Sequence, residues 1–379
     1  MADRRSFYLP QLDGLRFLAY ALVFISHYQW APDIIAKLPL GMNLIRLHRH
    51  GGIGVDLFLV LSAYLITALL LIEQESTGKV SLKDFYMRRA LRIWPLYYCA
   101  LVLFYFIVPF LQGTFMDSAH QDALKDHGLA YLAFLGNFSV SGGVHPPLYT
   151  AHLWTVSLEE QFYLVWPLSF VVLSRSRRGT IGFLFASILL SIGARTIAVL
   201  WEIDGVWTSF FTRLDPFAMG ALLALYRHRK VGHAKWSNLK FLLGGFLVCF
   251  ALGAARLGHQ TPAITWQYTM VAVGFTLVLD ASVCLKNTGI MGRMLRSRLF
   301  VRLGKLSYGM YVYHMVVIAL VSGLGAYMGL NIERPKGWFM IGTASFATTA
   351  LAAHLSYEWL EKPFLRLKRR YTQVTSRPD

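Results

Sequence analysis

Residues 13–27 read DGLRFLAYALVFISH, an apolar run with an aspartate at its start, an arginine three residues on and a histidine at its end. Arg16 and His27 are eleven residues apart. At about 100° per residue that separation returns to within roughly 20° of its starting direction, so both side chains share one helix face, about 16 Å apart along the axis. Ionisable groups in a segment destined for lipid cost a few kcal/mol each and are a functional expectation by default. One face of the first helix therefore carries two polar groups at different depths.

The composition makes the membrane the solvent. Of 379 residues, 55% are hydrophobic and 15% charged, with a positive mean hydropathy, which is too apolar for a soluble chain of this length. Spans of roughly 20 residues fit ten stretches, 12–30, 53–73, 92–111, 154–174, 180–200, 207–226, 239–256, 264–285, 303–328 and 338–360. The chain thus reads as an all-α, polytopic membrane protein of about ten transmembrane helices. Placing both termini in the cytoplasm puts most of the Lys and Arg residues on that side, as the positive-inside rule requires. The net charge of +17 is then a topology signal, and with no soluble basic domain it does not imply nucleic-acid binding. The first apolar run follows Arg4 and Arg5 as a signal peptide would, but Asp13, Arg16 and the lack of a small-x-small site make it a retained span. Cys99, Cys249 and Cys284 lie in or at the ends of apolar runs without paired spacing, so no disulfide framework or zinc site is expected.

Polar residues punctuate the spans at few places. The first outer loop carries Lys37, Arg46, His48, Arg49 and His50 with no carboxylate or cysteine at ligand spacing, and reads as a solvated loop, so no metal is expected. Asp56 follows Gly51, Gly52 and Gly54 at the start of the second span, where glycines permit close helix approach. Ser81 and Asp84 resemble a capped helix start, and Arg88, Arg89 and Arg92 follow at the inner surface. Such arginines anchor helices against anionic lipid, and their guanidinium groups equally suit a phosphorylated cytosolic ligand. Residues 112–153, with Asp117, Asp122, Asp126 and the SGGVHPP segment, form the one substantial extramembrane region, too small for an appended catalytic domain.

The run HLWTVSLEEQFYLVWPL then brings His152, Glu159, Glu160 and Tyr163 to the outer mouth of the fourth span, with Glu159 and Tyr163 one turn apart. Since a buried carboxylate needs a partner, a pocket shared by Glu159, His27 and Asp56 is expected. Arg213 and Asp215 in the sixth span are read as neutralising one another or as facing the acceptor. The seventh and eighth spans read as packing. In the ninth, Ser307, Tyr311 and His314 fall on one face at offsets of four and seven. The last span ends HLSYEWLEKPFLRLKRR, where Pro363 stops the helix and a basic tail anchors it inside.

Taken together, DGLR with its histidine, GVDLFLVLSAYLIT, RRALRIWPLYY, HLWTVSLEEQFY, RLDPFAMGALLA, LGKLSYGMYVYH and SYEWLEKPF resemble the acyltransferase-3 family of membrane proteins, in order from about residue 10 to 366. The resemblance implies one transmembrane acyltransferase domain over 1–366 and a basic cytoplasmic tail over 367–379, in the bacterial inner membrane. It implies transfer of an acyl group, often acetyl, from cytosolic acyl-CoA to a hydroxyl of a cell-surface carbohydrate or other glycosylated acceptor, with no bound cofactor. The family's arginine and histidine match Arg16 and His27, and its glutamate before QFY matches Glu159. Ala63 stands where the family often has glycine. No fused hydrolase-like domain is expected, so a two-domain relay would require another protein.

On this reading His27 is the general base, Glu159 orients its imidazolium, and Arg16 with Arg88, Arg89 and Arg92 holds the phosphate or pantetheine end of the donor. Ser307, Tyr311 and His314 line the acyl path, and Asp13, Asp56, Tyr163, Arg213 and Asp215 face the acceptor or serve structure. Direct attack requires hydroxyl and thioester carbon within about 3.5 Å; otherwise an acyl-histidine or acyl-serine intervenes. There is no GxSxG elbow and no histidine with aspartate four or five residues on. The rival expectation is a transporter or flippase of a lipid-linked saccharide, for which neither an inverted repeat nor paired broken helices are visible.

Overall fold

A computed structural model describes residues 7–28, 45, 48–141, 149–228, 236–254, 262–284 and 289–372. Most of the first outer loop, the SGGVHPP segment and tail residues 373–379 therefore lie outside the described residues. Among the described residues the chain is helical, without strands.

In chain order the helices are α1 (Pro10–His27), α2 (Gly54–Thr77), α3 (Leu82–Val102), α4 (Ser118–Leu132), α5 (Gly136–Ser141), α6 (Trp154–Leu173), α7 (Arg177–Leu200), α8 (Leu214–Arg227), α9 (Ser237–Ala254), α10 (Ile264–Cys284), α11 (Ile290–Leu295), α12 (Arg298–Tyr327) and α13 (Pro335–Ser356). Each of the ten expected spans coincides with one of these helices. Among the described residues, six helical stretches are long and apolar enough to cross a membrane: His48–Thr77, Leu82–Leu111, Ala151–Leu173, Arg177–Leu200, Ile264–Cys284 and Arg298–Tyr327. α1 falls outside that set because Gln11, Asp13, Arg16 and His27 dilute its apolar content. The segment expected to be extramembrane, 112–153, contains α4 and α5.

The helix starts follow their sequence. Ser81 caps α3 by accepting the Asp84 N–H, and Ser176 and Ser297 cap α7 and α12 in the same way. Beyond Val102 the α3 axis runs on through a wide π-turn, Leu103–Ile107, to Leu111, and α13 passes through another, Tyr357–Glu361, into Lys362–Lys368. These insertions shift the register of side chains along an otherwise continuous helix.

α1 is the central strut. It packs between α2 and α12, which in turn meet α8 and α13. Small residues allow this closeness: a Cβ on Gly304 of α12 would lie 1.8 Å from the Asp13 carbonyl oxygen, and one on Gly54 of α2 would lie 2.2 Å from that of Ala19. Ala63, the departure from the family pattern, is fully buried against Gly220 of α8.

Candidate active site

Burial of charge between these helices produces two kinds of cluster. One is closed. Arg195 of α7 grips Asp215 of α8 with both guanidinium arms, at 3.1 and 3.0 Å, and also donates to the Thr212 carbonyl at 2.6 Å. Arg213 pairs with Asp56 at 2.8 Å and lies over the rings of Trp207 and Tyr268. All four ionic side chains are fully buried. The expected Arg213–Asp215 neutralisation is thus corrected: each finds its counter-ion on another element, because positions two apart at a helix start point to opposite sides while α7 and α2 present the opposite charge. Asp56 does not join His27. Nor are the seventh and eighth spans mere packing, since Asp280 of α10 is held by Arg227 of α8 and by Lys240 of α9 at 2.6 Å.

The other cluster opens onto a cleft between α1, α2, α3, α6 and α12, about 870 Å³ with the open space at its mouth included. Arg16, Arg89, Arg92 and Lys305 supply cationic groups to its walls, and Ser307, Thr155 and Tyr311 also line it. Arg16 is steadied by Asp13 at 3.1 Å, whose second oxygen accepts the Tyr8 hydroxyl. Asp13 is accordingly a structural partner. Arg89 is stacked over Tyr163 and Phe85.

Glu159 belongs to this cleft too. Ser62 and Tyr163 each donate a 2.9 Å hydrogen bond to one of its oxygens, and Arg16 and Arg92 are its nearby charges. The expected contact between Glu159 and His27 is therefore corrected: the carboxylate has its donors on α2 and α6. Arg88 is also corrected as a donor ligand. It reaches back to Glu73 at 2.8 Å and to the Tyr371 carbonyl at 2.7 Å, which ties α3 to α2 and to the turn at Arg369–Tyr371.

At the far end of α1 three imidazoles converge. His27 Nδ1 is 3.0 Å from His314 Nε2, and His314 Nδ1 donates to the Tyr311 carbonyl at 2.6 Å. His152 donates from Nε2 to the Val312 carbonyl at 3.2 Å and stands edge-on to His314, with centroids 4.8 Å apart. Tyr311 connects the two ends: its ring lines the cleft while its hydroxyl donates to the His152 carbonyl at 2.7 Å. Of the expected stripe, Ser307 and Tyr311 line the cleft and His314 goes to His27 instead.

A family model described as an acyltransferase domain, that of acyltransferase-3, matches residues 9–357. The chain belongs to the acyltransferase-3 family. This acyltransferase-3 chain is 29% identical to "Putative peptidoglycan O-acetyltransferase YrhL" of Bacillus subtilis, over 94% of its own length and 55% of the relative's. It is 26% identical to the peptidoglycan O-acetyltransferase OatA of Listeria monocytogenes, over 94% of its length and 56% of the relative's. The chain thus spans little more than half the length of these relatives. No solved structure matches it.

Lys305, Ser62 and Thr155 were not singled out in the sequence. Lys305 sits two residues before Ser307, off the face shared by Ser307, Tyr311 and His314. Ser62 and Thr155 carry ordinary helix hydroxyls, and nothing but the cleft distinguishes them.

Proposed function

We propose that this chain is a membrane O-acetyltransferase that passes an acetyl group from cytosolic acetyl-CoA to a hydroxyl of a cell-envelope glycan on the other side of the membrane. The reading includes ten spans and cytoplasmic termini, with the Arg16 end of α1 inside and the His27 end outside. The observation that carries it is one cleft with cations in its walls, whose lining residue Tyr311 is hydrogen-bonded through its carbonyl to His314 and through its hydroxyl to the His152 carbonyl, in the histidine cluster beyond. A donor with phosphates suits Arg89, Arg92 and Lys305, because guanidinium groups bind phosphate oxygens bidentately. Its flexible arm then enters beside Ser307 toward Tyr311. The relatives' names support an acetyl group and a glycan acceptor.

The chemistry follows from the groups present. His27 takes the proton from the acceptor hydroxyl as the oxygen attacks the thioester carbon. The new C–O bond forms, the C–S bond breaks, and the imidazolium returns its proton to the departing thiolate. Ester and free thiol result, with His27 neutral again. Glu159 offsets the local positive charge of Arg16 and Arg92 and so limits their repulsion before the donor arrives.

The test supplies radiolabelled acetyl-CoA to the cytosolic face of membrane vesicles from expressing cells and counts label in the glycan fraction. His27→Ala is expected to lower transfer by roughly 10²–10⁴-fold at unchanged melting temperature. Full transfer by that variant would sink the base assignment.

A further inference from the structure

We propose that His314 is a positioning residue that sets the tautomer of His27, so that Nε2 of His27 is the nitrogen that takes the acceptor's proton. This rests on His27 being the base. The argument starts from a group whose role is fixed: a backbone carbonyl only accepts, so His314 Nδ1, 2.6 Å from the Tyr311 oxygen, carries hydrogen. In neutral His314 the other nitrogen, Nε2, then presents a lone pair. His27 Nδ1 lies 3.0 Å from it and is the donor of that pair. The lone pair of neutral His27 is left on Nε2. Four atoms of one carbonyl-to-imidazole chain thus decide which nitrogen of an exposed histidine is basic.

The relay has little freedom to rearrange. His314 is fully buried, with its ring edge-on to His152 at 4.8 Å and to Tyr20 at 6.2 Å. His152 is itself tied to the Val312 carbonyl, on the same α12 turn that supplies the Tyr311 carbonyl. His27, by contrast, is exposed, so the chain runs from an immobile backbone group outward to the reactive ring. A histidine without such a partner divides between two tautomers and turns about its side-chain bonds. When His27 receives the acceptor's proton on Nε2, its Nδ1–H remains bonded to His314 and becomes a charge-assisted donor. The contact is therefore stronger when the proton has been taken than before, which is the condition for an interaction to accelerate the step.

The substitutions His314→Gln, His314→Asn and His314→Ala separate this role from packing. A glutamine amide oxygen can reach the position of Nε2 and accept from His27; an asparagine amide matches the Nδ1 position and does not reach. With radiolabelled acetyl-CoA and membrane vesicles of the expressing cells, His314→Ala and His314→Asn are expected to lose roughly ten- to a hundredfold in kcat. The KM for acetyl-CoA should stay unchanged, and His314→Gln should return to within a few-fold of the parent. Unchanged kcat in His314→Ala, a raised KM alone, or no advantage of glutamine over asparagine each overturns the proposal. If these variants do not fold, ring ¹⁵N spectra of His27 in the unsubstituted protein decide it: Nδ1–H supports the relay and Nε2–H refutes it. His27→Ala in parallel distinguishes the two levels, since full transfer there removes the base itself, whereas its loss with a silent His314→Ala removes only the relay.

Discussion

The Arg195–Asp215 and Arg213–Asp56 cluster and the cleft around Arg16, Arg89 and Arg92 contain the same residue types in the same fold, and they differ in how the charges end. In the first, each cation meets a carboxylate within 3.1 Å and all four side chains are fully buried. In the second, Arg16, Arg89, Arg92 and Lys305 face an open cleft whose half-buried carboxylate, Glu159, is held by two hydroxyls. Charge inside a membrane is thus of two kinds here, one that fastens helices together and one that lines the walls of a cleft. What separates them is closure.

The largest expected effect is on the closed side. Asp215→Ala leaves Arg195 buried without its counter-ion and should cost about 3–5 kcal/mol, seen as a large fall in melting temperature or in the yield of folded protein in detergent. Arg195→Met combined with Asp215→Leu should recover most of that stability; a double variant as unstable as the single would break the contrast. On the open side, Arg92→Ala should leave folding intact and raise the KM for acetyl-CoA by roughly ten- to a hundredfold, the loss of one charge-assisted contact. Its neighbour Arg88 sharpens the comparison, because Arg88→Ala should lower stability through Glu73 while leaving that KM unaffected. The smallest effect belongs to the exposed Lys362–Glu358 pair, where Lys362→Ala should give no resolvable change in melting temperature.

Much of the architecture was legible because hydropathy is a local property. The ten expected stretches match helices to within a few residues at most ends, though α3 and α8 begin some distance from their predicted starts. The shared face of Glu159 and Tyr163 was equally readable, as neighbours one turn apart, and appears as a hydrogen bond. Pairings between helices were not. His27 and His314 are separated by 287 positions, and no periodicity within either helix states that their faces meet. The same holds for Asp56, whose partner at Arg213 displaced the expected alliance with His27 and Glu159. Arg88 and Arg92 show the limit most sharply: one turn apart on α3, they point to different fates because Glu73 competes for one of them.

The absence of a side chain at Gly304 has a mechanical meaning. With the α12 backbone seated directly on the carbonyl of Asp13, α12 is pinned to the start of α1, the helix on which Arg16 and His27 stand a fixed interval of about 16 Å apart. A reaction that joins its two ends must then be completed by the reach of the donor's own arm and not by a stroke of the helices. Lengthening that interval by one helical turn should leave both ends chemically intact and out of step.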